Sequence, residues 1–152
     1  MSMTQTATES FLASVRDAAI RAGVFGAIEM VGPMLRCAAP AAAAEAWYRL
    51  RREEGRWWVE LVTPDRWLSE SVESDLMHYG DPIEELIEEE LVNLGGRAGR
   101  PQVQHFRSED LLYTFRTPLD GDPPSEESAS RLLLAYEAAF RELGDIEADE
   151  EE

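Results

Sequence analysis

Lysine is absent from this chain, and cysteine and histidine are almost absent. All 14 basic residues are arginines, and 31 acidic residues oppose them, so the formal net charge of the 152 residues is −17. Such a charge repels the phosphate backbone of nucleic acids and anionic membrane surfaces, so we expect neither as a partner. The single cysteine, Cys37, excludes an internal disulfide and fits a reducing compartment; we interpret it as a small core residue.

Long apolar runs and a basic N-terminal region are also missing. The longest apolar runs are too short to span a bilayer, and the first charged residue is Glu9, so neither a membrane segment nor a signal peptide is predicted. We therefore expect a cytoplasmic protein. The hydrophobic content of 44% is ordinary for a folded chain. Residues 1–144 are predicted to form one domain, and residues 145–152 an acidic, disordered tail.

Motifs that carry chemistry are scarce. The sequence has no glycine-rich phosphate loop, no nucleophile elbow, and neither Cys-x-x-Cys nor His-x-x-x-His spacing. His78 and His105 lack metal-ligand spacing, so we predict no metal, no cofactor and no catalytic residue. We expect a protein that is not an enzyme. An enzyme that uses His78 or His105 with nearby carboxylates remains an alternative.

Apolar periodicity and capping residues define the helices. Helices are predicted from about residue 6 to 23, over residues 81–96 and over residues 125–143, where Ser125 is the expected N-cap. For residues 64–79 the pattern leaves helix and irregular structure both open. The helix over residues 81–96 is rich in glutamate and closes at two consecutive glycines.

Alternating apolar and polar residues define the strands. Residues 24–37 are interpreted as one strand, residues 44–52 and 56–63 as a hairpin with its turn at residues 53–55, and residues 101–119 as a second hairpin that turns near residues 108–110. The predicted fold is a single α+β domain. In it, helices pack against an antiparallel sheet of about five strands, in the order α-β-β-β-α(α)-β-β-α.

The first hairpin holds the aromatic binding candidates. Trp57 and Trp58 are consecutive in one strand, so their side chains must face opposite sides of the sheet. One side is the core. The other is either covered by a second layer, which is the simpler interpretation, or presents Trp58 and its neighbour Trp47 to a protein partner.

The same hairpin carries the arginines Arg49 and Arg51, and we expect them to face acids of the same chain or of a second copy. One acid is unusual: Glu90 falls within the apolar stripe of the glutamate-rich helix. An ionised carboxylate at such a position is costly unless it is paired or reaches water. We hypothesise that Glu90 meets an arginine of this hairpin, within the domain or across a dimer; the alternative is that Glu90 reaches outward to water.

The element order, in a small acidic chain that ends in the amphipathic segment SASRLLLAYEAAFREL, resembles the type III secretion chaperone-like fold. That fold includes the secretion chaperones and the YbjN-type proteins. The resemblance covers residues 6–143 and rests on order, size and acidity; an added helix over residues 64–79 would depart from it. It implies a non-catalytic homodimer that binds an extended segment of another protein through apolar surface, and no individual binding residue transfers.

We therefore expect a protein-binding module that is chaperone-like or regulatory. We expect it to bind neither nucleic acid nor membrane. Its partner would be another protein, and the module itself a homodimer. One alternative is an acidic mimic that binds a basic partner protein, which requires acids displayed on a rigid face. The other is the enzyme named above, which requires a cleft with converging polar groups.

Overall fold

In the computed structural model, helices pack against one face of a six-stranded antiparallel sheet. The structure describes residues 3–39, 45–65, 70, 83–96, 101–108, 111–121 and 123–141. In these residues the helices are α1 (Met3–Ala22), α2 (Ile83–Asn93) and α3 (Glu126–Arg141). The strands are β1 (Ile28–Val31), β2 (Met34–Ala38), β3 (Trp47–Glu53), β4 (Arg56–Thr63), β5 (Gln104–Arg107) and β6 (Tyr113–Leu119). The predicted α+β class and element order are confirmed.

The strands lie in the order β1-β2-β3-β4-β6-β5, and every neighbouring pair is antiparallel. After β4 the chain passes through α2 and returns as the β5–β6 hairpin, with β6 rather than β5 against β4. The order leaves β1 and β5 at the two edges of the sheet. It also places β6, which is distant in sequence, beside the hairpin that the sequence pattern defines best.

The sheet has six strands rather than about five because residues 24–37 form two strands. Val31 pairs with Met34, so only Gly32 and Pro33 lie between β1 and β2. Gly32 has φ +60°, which suits the first central position of a type II′ turn, and the fixed φ of proline suits the second. A reversal this short leaves the apolar pattern almost uninterrupted, which is why the sequence suggests a single strand.

The hydrophobic core lies between α1, α3 and one face of the sheet, which we call the helix face. Trp57, Val59 and Leu61 of β4 belong to this core, and the Trp57 ring meets the Phe11 ring of α1 edge-on at 4.9 Å between centroids. Helix α3 contacts α1, α2, β3 and β4. In each strand, the residues that alternate with the core residues point to the opposite side of the sheet, which we call the second face.

The helix ends follow their capping residues. The Ser128 N–H donates to Ser125 Oγ at 3.0 Å, which confirms Ser125 as the N-cap of α3. Helix α2 ends in a Schellman motif: Gly96 N–H donates to the Leu91 carbonyl at 2.8 Å, and Gly95 has φ +88°. Helix α1 begins at Met3, a few residues before the predicted start.

Two segments for which the sequence makes predictions fall outside the described residues. They are most of the segment 64–79, which includes His78, and the tail over residues 145–152. Among the helices of the described part of the chain, none combines the length and the apolarity needed to cross a membrane.

Candidate functional site

A row of polar side chains crosses the whole second face. The register places one such residue of each strand directly opposite the next, and together we call them the polar row. Its members, from edge to edge, are Glu29, Arg36, Arg49, Glu60, Arg116 and Gln104. Because residues that face each other across a ladder lie within side-chain reach, opposite charges in the row can pair.

Glu60 lies at the centre of this row and is fully buried. Its Oε1 accepts hydrogen bonds from Arg49 Nε at 2.8 Å and from Arg51 Nε at 2.9 Å, and Arg49 Nη2 lies 2.7 Å away. A buried carboxylate is tolerated only when charge and hydrogen bonds compensate its lost hydration. The two arginines of β3 supply that compensation.

Arg116 of β6 completes the cluster from the other side of Glu60. Its Nη1 lies 3.8 Å from Glu60 Oε2 and donates a hydrogen bond to Glu53 Oε1, while its Nε donates to Gln104 at 3.0 Å. The guanidinium carbon stacks 3.8 Å from the centroid of the Trp58 ring. Cation–π stacking of this kind favours arginine over lysine at such a position.

The Glu60 cluster, as we name Arg49, Arg51, Glu53, Glu60 and Arg116, therefore carries three positive and two negative charges. Its formal sum of +1 contrasts with the −17 of the whole chain. The carboxylate of Glu60 is tied to guanidiniums of two neighbouring strands. The arrangement holds β3, β4 and β6 together.

The structure brings four of the five predicted binding residues to the second face. Arg49 and Arg51 meet on Glu60, as described. Trp58 is only 6% exposed and donates its Nε1–H to the Glu53 carbonyl at 3.3 Å. Trp47 is half-buried, and the Arg36 guanidinium lies 5.2 Å from its ring centroid. Trp57 and Trp58 are thus both buried, Trp57 in the core and Trp58 beneath the guanidiniums of Arg116 and Arg56.

Glu90, the fifth candidate, is separate from this group. It lies on α2 and is half-buried, whereas the buried positions of that helix are Ile83 and Ile87. Within the described residues no ion pair joins Glu90 to Arg49 or Arg51, whose shared carboxylate is that of Glu60. The pairing of Glu90 across a dimer stays a prediction.

Groups that could act in catalysis or bind a metal are few in the described part of the chain. His105 stacks on Phe115 at 3.8 Å between ring centroids. Burial raises the pKa of the Cys37 thiol to about 12, so the thiol is protonated at neutral pH. Burial also raises the pKa of Tyr136, whose hydroxyl is 2.6 Å from Thr117 Oγ1. The described residues contain no group of three or more His, Cys, Asp or Glu side chains that could hold a metal ion.

The outer edge of β1 offers backbone hydrogen-bonding groups. Val31 and Met34 flank a two-residue turn, so they form a hydrogen-bonded pair, and bonded pairs then alternate along the ladder. Glu29 is the next bonded residue of β1. The N–H and C=O groups of Ile28 and Met30 consequently point away from β2. Within the described residues, no strand pairs with this edge.

The same alternation continues beyond the strand, where the Ala38 N–H donates to the Ala27 carbonyl at 2.8 Å. The side chains along the edge are mostly apolar: Met30 and Val31 are each 38% exposed. Glu29 is the one charged residue of the strand, and Arg36 pairs with it at 2.7 Å. Exposed edge strands usually carry charge or proline as protection. Strand β1 is short, but its edge is unusually apolar.

Strand β5, at the other edge of the sheet, differs in character. All four of its residues are exposed, and only Phe106 among them is apolar. The Arg107 guanidinium lies 5.6 Å from the Tyr113 ring centroid and places a positive charge on this strand. Of the two edges, β1 is therefore the better candidate for binding an apolar partner.

Comparison with protein-family models, with curated proteins and with solved structures gives no match for this chain.

Acid titration tests the Glu60 cluster. The hydrogen bond from Arg116 is the main cause that holds the pKa of Glu53 below its ordinary value of 4.5, with smaller contributions from the charges of Arg51 and Arg49. A pKa lower in the folded state contributes stability above the unfolded pKa, and that stability is lost as the pH falls through the folded pKa. Arg116→Gln is expected to raise the pKa of Glu53, measured by carbon-13 NMR of its carboxyl group.

The control for this titration is Arg131→Gln, because Arg131 lies on α3 and pairs with Glu127 instead. Its effect on the Glu53 carboxyl should be much smaller. An unchanged pKa of Glu53 in Arg116→Gln would show that the hydrogen bond is not its cause.

Proposed function

We propose that this protein is a non-catalytic module that binds an extended segment of another protein, and that the segment adds to the sheet as a strand beside β1. The observation that carries the proposal is the outward backbone of Ile28 and Met30, next to the exposed side chains of Met30 and Val31. Strand addition of this kind obtains affinity from main-chain hydrogen bonds and specificity from alternate side chains.

The charge of the chain supports a cationic partner. A net charge of −17 attracts a basic segment over long range and raises its rate of association. Two copies of the chain would instead bring two such charges together. We therefore favour a segment of a different protein as the occupant of the β1 edge, and a second copy becomes an outcome that the experiment must distinguish.

The side chains of β1 define a pattern for the segment. Glu29 lies on the second face, whereas Ile28 and Met30 lie on the helix face. In the bound segment, the residue opposite Glu29 would be basic. The residues before and after it in the segment would lie on the same face of the sheet as Met30 and would be apolar. Since β1 has four residues, at roughly 3.4 Å each, the paired length is short. An alternating apolar and basic segment fits it.

A charge-neutral substitution tests the proposal. Met30→Pro removes the outward N–H of β1 but no hydrogen bond of the β1–β2 ladder. Binding of a fluorescently labelled peptide of alternating valine and arginine, followed by anisotropy at fixed ionic strength, is expected to weaken about tenfold or more. The loss of this one hydrogen bond, which leaves a peptide carbonyl without its partner, corresponds to about this factor. Met30→Ala is the matched control, because it shortens the side chain and retains the N–H.

Two results would contradict strand addition. One is equal affinity of the wild type and Met30→Pro, which would mark the peptide binding as unspecific attraction to the acidic surface. The other is equal weakening in Met30→Pro and Met30→Ala, which would assign the effect to the side chain. Sedimentation velocity of the protein without peptide tests whether a second copy of the chain occupies the β1 edge. A wild-type dimer that is lost in Met30→Pro would assign the edge to a second copy.

A further inference from the structure

A pocket of about 580 Å³ opens between α2, α3 and the end of β6. Its volume is in the range of small-molecule sites. It lies toward the β5 side of the sheet, so it is distinct from the β1 edge, and an inference about it does not depend on the proposed function.

About half of the pocket wall is apolar. Leu91 comes from α2, Pro118 and Leu119 from β6, and Leu132 from α3. Leu119 and Leu132 are buried, so they form the deep part of the pocket. A hydrocarbon group placed against them would lose contact with water, which is favourable by about 25 cal/mol for each Å² of apolar surface.

One cation points to the chemistry of the ligand. Arg131, in the second turn of α3, lines the pocket with its side chain one-third exposed. Its Nη2 donates to Glu127 Oε2 at 2.8 Å, and within the described residues it makes no other hydrogen bond. Glu127 is 71% exposed, so this pair on the surface of one helix is weak. The planar guanidinium has further N–H donors with which to bind a second carboxylate.

Two neighbouring features add to the effect of Arg131. Ser128, also on the wall, lies in the first turn of α3, where the helix dipole favours negative charge. On the opposite wall Gly96 has no side chain; a Cβ there would lie 3.6 Å from Arg131 Cδ. Because 3.6 Å is an ordinary packing distance, the backbone at Gly96 forms the wall beside the aliphatic part of Arg131.

We propose that this pocket binds a small amphipathic monocarboxylate, with the carboxylate on Arg131 and Ser128 and the hydrocarbon body against Leu119 and Leu132. A single negative charge is favoured over a multiply charged head group. Glu127 lies beside the arginine, and the chain as a whole has a charge of −17.

Titration of the full chain with octanoate, followed by proton–nitrogen NMR, tests the proposal. Saturable shifts are expected at the amides of Leu119, Ser128 and Leu132. Arg131→Gln should weaken binding about tenfold or more, the size of a charge-assisted hydrogen bond. Glu127→Gln should strengthen binding, because it removes the carboxylate that competes for Arg131. Substitutions of Arg131 and Glu127, which pair with each other, are thus expected to change the affinity for octanoate in opposite directions.

Arg56→Gln serves as the control for charge, because it removes an arginine that is not part of the pocket. It should bind octanoate like the wild type, and octanol, which has no charge, should bind more weakly than octanoate. Shifts that do not saturate, shifts outside the pocket, or equal affinities of Arg131→Gln and Arg56→Gln would overturn the proposal. Weaker binding by Glu127→Gln would also overturn it.

Discussion

Replacing Glu60 with alanine is expected to lower the free energy of unfolding by about 3–5 kcal/mol, the cost of removing one partner from a buried ion pair. Glu60 has no exposed surface, and Arg49 and Arg51 both donate to its Oε1. Without the carboxylate, Arg49 and Arg116 are left largely buried beside each other's positive charge, and Glu53 is the one carboxylate of the Glu60 cluster that remains. Chemical denaturation followed by tryptophan fluorescence measures the loss.

Glu89→Ala is the matched control for this experiment. Glu89 is exposed on α2, and its removal changes the net charge of the chain by the same amount. Relief of general repulsion is therefore equal in the two variants, and the difference between them isolates the cluster. Glu90→Ala, at a half-buried position, should resemble Glu89→Ala. If Glu60→Ala costs no more than these two, the arginines are not held by Glu60.

Trp57→Ala is expected to have an effect of similar size, about 3–5 kcal/mol, because it creates a large cavity in the core. Trp57 is 1% exposed and meets the Phe11 ring edge-on, so it joins α1 to the centre of the sheet. Thermal unfolding followed by circular dichroism measures the loss, and Ile20→Ala, at a 57% exposed position of α1, should cost almost nothing.

A double-mutant cycle separates the ring contact from general burial. If the edge-on pair is real, Phe11→Ala and Trp57→Ala together should cost less than the sum of the two, with a coupling of about 0.5–1.5 kcal/mol. Additive effects would show that the two rings do not depend on each other.

The sequence predicts the fold where the pattern is local and strong. The β3–β4 hairpin follows from strict alternation on both sides of Glu54-Gly55, and the start of α3 follows from Ser125. The β1–β2 reversal was missed because Gly32-Pro33 turns the chain in only two residues. The place of β6 beside β4 cannot be read from any local pattern, because it depends on how the β5–β6 hairpin docks.

The candidate site was predicted in part. Arg49 and Arg51 were identified from their density on one hairpin, but their partner was sought at Glu90. The signal for Glu60 was available: a two-residue turn at Glu54-Gly55 fixes the register, and that register sets Arg49 opposite Glu60. In a chain with 31 acids, composition does not show which carboxylate is buried. The apolar β1 edge was missed because its strand was not separated from β2.

The position of α3 has a consequence for synthesis of the protein in the cell. This helix is made after every strand of the sheet, yet it packs against α1, α2, β3 and β4. Until residues 126–141 leave the ribosome, the nascent chain has no α3 to cover buried side chains such as Phe115, whose ring lies 5.2 Å from that of Phe140 on α3. Exposed apolar surface of this kind is prone to aggregation. The nascent chain therefore depends on α3 to cover this part of the core, and it is exposed to aggregation until that helix docks.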